Sequence, residues 1–281
     1  MNALLCETVT GRTTADLVAA RDRVVDADMV ELRLDGVADP DVARILAGRH
    51  LPVIVTCRPT WEGGRYAGSE ASRRRLLEDA LAHGADYVDV EWAARFEDLI
   101  ERHAERVIVS LHDFTGSPSD LDARTRAMRR TGAAVVKVAV ATGRLCDALP
   151  LREISGAGPA VVIGMGEAGL PTRLLASRFG CRWTYGGDGV APGQVPVSRM
   201  VHEYGFRRIG PRTAIYGVVG PDIARSPIPG VLNAAFEAEG RDAAAVPLPG
   251  ADETDVQVFA KAVGLEGLID ATKERDAHHV I

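Results

Sequence analysis

Short apolar runs alternate with amphipathic stretches along roughly the first 205 residues of the chain. The strand-like runs are LLCETVT, DMVELRLD, PVIVTCR, DYVDVEW, RVIVSLH, AVVKVAV, AVVIGMG and CRWTYGG. Between them lie segments with helical spacing of apolar positions, such as SEASRRRLLEDALAHG. Eight β-then-α units with short connections predict a (β/α)8 TIM barrel. A doubly wound open sheet is the alternative, but no glycine-rich dinucleotide loop follows the first strand.

The pattern restarts near residue 210, where Gly210 and Pro211 interrupt it and a new apolar strand begins at Ala214. The rest reads as strand, turn, helix, strand, helix and short strand, which is too little for a full nucleotide-binding domain. We therefore predict a barrel over residues 1–210 and a small α/β half-domain over residues 211–281. Such a half-domain would expose strand edges and apolar helix faces if it stood alone. We expect it to pack on the barrel or, as we prefer, on a second copy of the chain in a homodimer.

Composition and charge narrow the classes of function. The chain has 281 residues, is 46% hydrophobic and carries a net charge of −6, so it lacks the basic excess of a general nucleic-acid binder. No apolar run reaches the roughly 18 residues that suggest a membrane span, and the first ten residues lack the pattern of a secretory signal. The four cysteines form no CxxC pair, which fits a reduced compartment better than disulfides or a zinc site. These features predict a cytoplasmic protein that acts on a small molecule, with no nucleic-acid or membrane partner.

Polar side chains lie at or near the ends of the predicted strands, which a barrel gathers at one face. They are Glu31, Arg33 and Asp35 in the second strand, Arg58 and Glu62 after the third, Asp89 and Glu91 in the fourth, His112 in the fifth, Lys137 in the sixth, and Arg173 and Gln194 after the seventh and eighth. Arginines there suit the binding of a substrate carboxylate. Glu31 and Asp35 either accept hydrogen bonds from substrate hydroxyls or neutralise Arg33. We expect Asp89 and Glu91 to support the barrel interior.

Lys137 is the most informative of these residues. A lysine inside a continuous apolar run must find a partner or lose its charge. A desolvated lysine beside other cations becomes an amine nucleophile toward ketones. The alternative is a structural lysine that pairs with a carboxylate or extends out of the barrel. His112 on the adjacent predicted strand, with three arginines at the same mouth, favours Schiff-base chemistry.

Seven motifs occur in the order ELRLD, TCRPTWEGG, VDVE, SLHDF, VVKVAV, MGEAGLPTR and APGQ. Over about residues 3 to 205 this set resembles type I 3-dehydroquinate dehydratase. The resemblance implies a (β/α)8 barrel that converts 3-dehydroquinate to 3-dehydroshikimate through a lysine imine, without metal or cofactor. That reaction belongs to the shikimate pathway of aromatic amino acid biosynthesis.

The resemblance also implies roles for individual residues. Lys137 resembles the imine-forming lysine, His112 the general acid/base, and Glu62 the carboxylate that orients the histidine. The substrate-binding residues by resemblance are Arg173 and Gln194 at the carboxylate end, and Glu31, Arg33 and Arg58 in the hydroxyl-binding and loop-closing set. Val190 stands where the family often has a serine that reaches the substrate, and this removes one hydrogen bond.

The tail resembles the start of shikimate dehydrogenase. Ser226, Pro229 and Asn233 match that family's motif SxSPxxHN, but Ile228 replaces its second serine. Arg275 stands where the family's catalytic lysine is expected, and no nicotinamide-binding half follows. The resemblance therefore implies a truncated or degenerate substrate-binding fragment that is not catalytic.

Two other functions remain open for the barrel. One is a non-catalytic metabolite sensor, and the other is a different class I Schiff-base enzyme such as an aldolase. The intact lysine, histidine and glutamate favour an enzyme over a sensor. No phosphate-binding helix start is evident after the eighth strand, which disfavours an enzyme of phosphorylated substrates.

Overall fold

The computed structural model describes residues 2–250 and 252–272. Eight parallel strands form one sheet in the order β7-β6-β5-β4-β3-β2-β1-β8, which confirms the predicted barrel. The strands are β1 (Leu4–Thr10), β2 (Met29–Arg33), β3 (Val53–Thr56), β4 (Tyr87–Glu91), β5 (Val107–Asp113), β6 (Val135–Ala141), β7 (Ala160–Met165) and β8 (Trp183–Gly186). The seam between β7 and β8 is bridged near its start, where the backbone N–H of Arg182 donates to the carbonyl of Ala160 at 3.0 Å.

Short helices surround the strands. They are α1 (Thr14–Asp22), α2 (Val42–Leu46), α3 (Glu70–Ala82), α4 (Glu97–Arg102), α5 (Leu121–Arg129), α6 (Leu151–Gly156), α7 (Leu170–Leu174) and α8 (Val197–His202). Local sequence sets where they begin: the Ser69 hydroxyl accepts the N–H of Ser72 at the start of α3, and Thr13 forms a capping box with Asp16 at α1. No helix in the two described ranges is long and apolar enough to cross a bilayer.

Both faces of the strands are buried, and most of the strand residues are therefore apolar. In β5, Val107 and Val109 pack in the core shared with the helices, whereas Ile108 packs in the barrel interior. The alternation of a strand then carries Ser110 and His112 inward above Ile108. In β6 the same alternation places Val135 and Ala139 inside, with Lys137 between them. The interior is therefore apolar at its base and polar toward the carboxyl ends of the strands.

The C-terminal part forms a second, three-stranded parallel sheet in the order β10-β9-β11. Its elements are β9 (Ala214–Val219), α9 (Ile228–Ala238), β10 (Ala243–Pro247), α10 (Glu253–Val263) and β11 (Gly267–Asp270), in the predicted order. In β10, Ala244 and Val246 belong to the same buried cluster as the barrel's outer core, whereas Ala243 and Ala245 pack with α9. One continuous core thus joins the two sheets.

Hydrogen bonds fix α10 to the barrel at both of its ends. The carboxylate of Asp255 accepts the backbone N–H groups of Leu145 and Cys146 at 2.8 and 3.0 Å. At the other end, the guanidinium of Arg178 donates to the carbonyls of Val263 and Gly264 at 3.2 and 2.8 Å. Of the two packing arrangements we expected for the tail, the structure shows the one in which it packs on its own barrel. The homodimer itself stays a prediction.

Candidate active site

The polar residues at the strand ends line one cavity at the carboxyl-terminal mouth of the barrel, with a volume of about 610 Å³ that includes its open entrance. All eight predicted site residues line it: Glu31, Arg33, Arg58, Glu62, His112, Lys137, Arg173 and Gln194. Two further lining residues with a side-chain hydroxyl, Thr8 on β1 and Tyr185 on β8, were not predicted from the sequence, and Val190 also borders the cavity.

Lys137 lies at the floor of the cavity and is almost fully buried. Its Nζ donates to Asp89 Oδ2 at 3.0 Å and to Glu31 Oε1 at 3.3 Å, and lies 4.2 Å from the centre of the Tyr185 ring. Burial alone would raise the pKa of both carboxyl groups, but the pKa of Asp89 is lowered by Arg58 and Lys137, and that of Glu31 by Lys137 and Arg33. Nζ of Lys137 therefore lies between two carboxylates that stay ionised at neutral pH.

His112 is held in place by Glu62 from the loop after β3. Glu62 Oε1 accepts the backbone N–H of His112 at 3.0 Å and lies 2.9 Å from its Nδ1. Because this oxygen already accepts a backbone N–H, we assign Nδ1 as a second donor to it. That tautomer leaves Nε2 with a free lone pair, the form that a general base requires.

The charge states of this pair follow from its surroundings. Burial, and then the positive charges of Arg58 and Lys137, lower the pKa of His112 well below 6.5. Burial raises the pKa of Glu62 to about 8, with Arg58 opposing the shift and Glu91 and Asp89 adding to it. At neutral pH the imidazole is therefore neutral, and the pair together holds one titratable proton.

Arg58 is buried at the centre of an ionic network beneath the cavity. Its guanidinium contacts Asp89 at 2.9 Å, Glu91 at 2.7 Å and the Ser110 hydroxyl at 2.9 Å. Glu91 also pairs with the buried Arg73 of α3. Burial works to lower the pKa of Arg58, but the carboxylates of Asp89 and Glu91 outweigh it and raise that pKa. Asp89 and Glu91 thus support the barrel interior, as the sequence indicates.

Two threonine hydroxyls donate hydrogen bonds to the carboxylate oxygens of Glu31. Oε1 accepts the Thr56 hydroxyl at 2.8 Å, and Oε2 accepts the Thr8 hydroxyl at 2.9 Å. The Gln194 amide in turn donates to Thr8 at 3.2 Å and to the carbonyl of Gly186 at 2.9 Å. A hydrogen-bonded chain therefore links Lys137 to the loop after β8.

Arg33 sits at the rim of the cavity and is partly exposed. Two of its guanidinium nitrogens bind the two oxygens of Asp35 at 2.7 and 2.8 Å. Asp35 also accepts the backbone N–H of Arg65 at 3.0 Å. Asp35 thus neutralises Arg33, which was one of the two roles expected of it.

Arg173 is the one arginine of the predicted site without an ion pair among residues 2–250 and 252–272. It is 1% exposed, its guanidinium donates to the carbonyls of Tyr185 and Pro192 at 3.2 and 3.3 Å, and its buried Nε has no partner. Burial lowers its pKa to about 10, so it stays charged at neutral pH. A buried cation without a counter-charge is costly, and at the wall of a cavity it forms a site for an anionic group.

Comparisons with known proteins identify the family of the barrel. The family model for type I 3-dehydroquinase matches residues 5–211, the whole of the barrel. The 3-dehydroquinate dehydratase of Methanothermobacter thermautotrophicus is 37% identical over 209 residues, which cover 70% of this chain and 94% of that protein.

The C-terminal part has relatives as well. The chloroplastic bifunctional 3-dehydroquinate dehydratase/shikimate dehydrogenase of Arabidopsis thaliana is 37% identical over 254 residues, covering 84% of this chain and 42% of that protein. The solved dehydroquinate dehydratase and shikimate dehydrogenase structure from S. pombe AroM has a TM-score of 0.61 at 22% identity, and covers 98% of this chain and 57% of that one. The chain thus spans about half the length of these two larger proteins. It belongs to the type I 3-dehydroquinase family, with a shikimate dehydrogenase-like part following the barrel.

Proposed function

We propose that the barrel dehydrates 3-dehydroquinate to 3-dehydroshikimate through an imine on Lys137, with His112 as general acid/base. The observation that carries the proposal is the arrangement of three groups in one cavity: a buried primary amine, an oriented neutral imidazole and an unpaired buried guanidinium. The amine can condense with a ketone, the imidazole can move a proton, and the guanidinium can bind a carboxylate. A sensor would need neither the amine nor the imidazole.

The first stage forms the imine. Nζ of Lys137 gives up a proton to Nε2 of His112, and its lone pair attacks the C3 carbonyl carbon of the substrate. The former carbonyl oxygen then receives one proton from Nζ and the stored proton from His112, leaves as water, and a protonated imine remains. Asp89 and Glu31, which contact Nζ in the structure, stabilise this positive charge where it forms.

The second stage removes the hydroxyl. Nε2 of His112 takes the proton from C2, and the electron pair moves into the iminium to give an enamine. The enamine electrons return, expel the C1 hydroxyl and form the C1–C2 double bond, and His112 delivers the same proton so that water departs. Hydrolysis of the imine releases the product and restores Lys137. The imine is the electron sink in this sequence.

Conversion of 3-dehydroquinate by the purified chain tests the proposal. We expect a conjugated enone to appear, followed by its ultraviolet absorbance and identified by mass spectrometry. If the folded protein binds 3-dehydroquinate in calorimetry without converting it, the barrel is a sensor and the proposal is wrong.

Arg173→Ala is expected to raise KM with little change in kcat, because the carboxylate is bound before and during the reaction. A charge-assisted hydrogen bond contributes about 1.5–3 kcal/mol, which corresponds to roughly a ten- to hundredfold change. Steady-state kinetics over a range of 3-dehydroquinate concentrations measures both constants. If KM is unchanged, the carboxylate binds elsewhere; Arg126→Ala, an exposed residue of α5 outside the cavity, serves as the control.

We also propose that residues 1–210 form the dehydratase barrel and that residues 211–281 carry no activity of their own. Asn233, which matches the shikimate dehydrogenase motif, is 1% exposed. Its side chain is fully used within the fold: the amide donates to Glu203 and Ala245, and the oxygen accepts the N–H of Ala245 at 2.8 Å. Ile228 offers no hydroxyl, and Arg275 lies outside the described residues.

The chain is accordingly expected not to reduce 3-dehydroshikimate with either nicotinamide cofactor. An occupied asparagine and a missing hydroxyl leave too few groups to hold the substrate, and arginine cannot readily give up a proton. Oxidation of the reduced cofactor, followed by absorbance in the presence of 3-dehydroshikimate, checks this. Cofactor oxidation that depends on the substrate and survives Lys137→Met would contradict the expectation.

A further inference from the structure

Helix α7, which carries Arg173, is buried on every side. All five of its residues, Leu170–Leu174, are buried. An outer helix of a barrel normally leaves one face in water, and α5 follows this rule, with only Leu121, Thr125 and Met128 buried. The difference has a direct cause, because strand β10 of the C-terminal sheet packs against α7.

A helix this short has no stability of its own and is held by its contacts. On the inner side the Thr172 hydroxyl accepts the N–H of Gly164 in β7 at 3.0 Å and donates to the carbonyl of Gly169 at 2.7 Å. On the outer side Ala244 and Val246 of β10 share one buried cluster with Leu170 and Leu174. The helix therefore lies between the barrel wall and the C-terminal sheet.

The guanidinium of Arg173 depends on that helix for its position. Its two hydrogen bonds go to neutral carbonyls and are long, at 3.2 and 3.3 Å, and no carboxylate within residues 2–250 and 252–272 pairs with it. Neutral bonds of this length hold a side chain weakly. A shift of the α7 backbone would thus move the guanidinium relative to the cavity.

A second contact joins the same two parts of the chain. Arg225, in the loop between β9 and α9, lies 3.3 Å from Glu167, in the turn that leads into α7. Both side chains are exposed, so this pair contributes little to stability. It does show that the C-terminal part touches the α7 segment at its start as well as along its side.

We infer that the C-terminal sheet is a positioning element of the dehydratase: by packing on α7 through Ala244 and Val246, it holds Arg173 where the substrate carboxylate binds. The identity of the ligand rests on the proposed function, whereas the coupling between β10 and α7 does not. The shikimate dehydrogenase-like part thereby serves the first reaction without an activity of its own.

Two matched substitutions in the same sheet test this. Val246 and Val218 are both 0% exposed, but Val246 faces the core shared with α7 and Val218 packs in the cluster against α9. Val246→Ala is expected to raise KM by roughly 2- to 30-fold, the range for substitutions that act on a site through packing, with kcat nearly unchanged. Val218→Ala should lower the melting temperature similarly but leave KM unchanged.

Two readouts separate positioning from general destabilisation. Hydrogen exchange of the peptide that contains residues 170–174 should speed up in Val246→Ala and not in Val218→Ala. In an Arg173→Ala background, Val246→Ala should have no further effect on KM, because the group that it displaces is gone. Equal KM values for the two valine variants, or unchanged exchange in α7, would overturn the inference.

The exchange experiment also keeps the two proposals apart. If the wild-type chain fails to convert 3-dehydroquinate, the proposed function fails, and exchange in α7 still tests the packing. If Val246→Ala does not fold, Ala244→Ser replaces it, with Ala245→Ser on the α9 side as its control; both alanines are 0% exposed, and the same results are expected.

Discussion

Lys137→Met is expected to lower kcat for dehydration by on the order of 10⁴–10⁶-fold, the loss seen when an enzyme loses a covalent nucleophile. No other amine lines the cavity, so no other group within residues 2–250 and 252–272 can supply the imine there. Without the imine, the electrons released at C2 have no cationic nitrogen to accept them. The measurement is enone formation at saturating 3-dehydroquinate.

Loss of fold must be distinguished from loss of the nucleophile. Removing one partner of a buried ion pair can cost about 3–5 kcal/mol of unfolding free energy, although Asp89 keeps Arg58 and the Ser110 hydroxyl at 2.9 and 2.6 Å. Lys137→Arg is the matched control, because it keeps a positive charge between Asp89 and Glu31 and cannot form an imine. We expect it to be folded and inactive. Substantial turnover by a folded Lys137→Arg or Lys137→Met variant would exclude the mechanism.

His112→Ala is expected to lower kcat by about 10²–10⁴-fold, the usual contribution of a general acid/base. The same residue serves imine formation, C2 deprotonation and imine hydrolysis, so all three steps should slow. Imine formation would then be slower, and adduct that does form should accumulate because its hydrolysis is impaired. Single-turnover kinetics with borohydride quenching measures both effects.

Glu62→Gln is the companion variant. The glutamine oxygen can still accept the backbone N–H and the Nδ1–H of His112 but cannot take up or release a proton as Glu62 can, so we expect a smaller loss than in His112→Ala. Near-normal turnover in His112→Ala would assign the base to Glu62 instead.

A base works in its unprotonated form, and the pKa of His112 is lowered well below 6.5 by burial, Arg58 and Lys137. The acidic limb of the rate should therefore lie below pH 6.5.

The barrel and the placement of its polar residues could be predicted because a strand buried on both faces is apolar except where it reaches the mouth of the barrel. His112 at the end of β5 and Lys137 within β6 are such exceptions, and they reach one cavity from neighbouring strands. Strand pairing sets Ser110 opposite Lys137 and His112 opposite Ala139. Asp113, the next residue of β5, caps the turn beyond the strand: its carboxylate accepts the N–H and hydroxyl of Thr115 at 2.9 and 2.6 Å.

Other features could not be read from the sequence. Thr8 was missed because a threonine in LLCETVT also suits an ordinary strand; its pairing opposite Glu31 across β1 and β2 becomes visible only with the register. The position of the tail was left open between two surfaces because an apolar sheet face does not say which surface covers it. A signal for it exists in LPTRLLA, where five of the seven residues are apolar, more than one buried helix face needs, and this predicts that something covers the outer face.

Borohydride reduction of the chain during turnover of 3-dehydroquinate, followed by peptide mass mapping, tests the central claim most directly. Borohydride reduces an imine to a stable secondary amine, so the modified residue identifies the nucleophile. We predict one substrate-derived adduct, on Lys137, which is absent from Lys137→Arg and from samples reduced before substrate is added. Full dehydration by a protein in which Lys137 remains unmodified after reduction during turnover would contradict the imine mechanism.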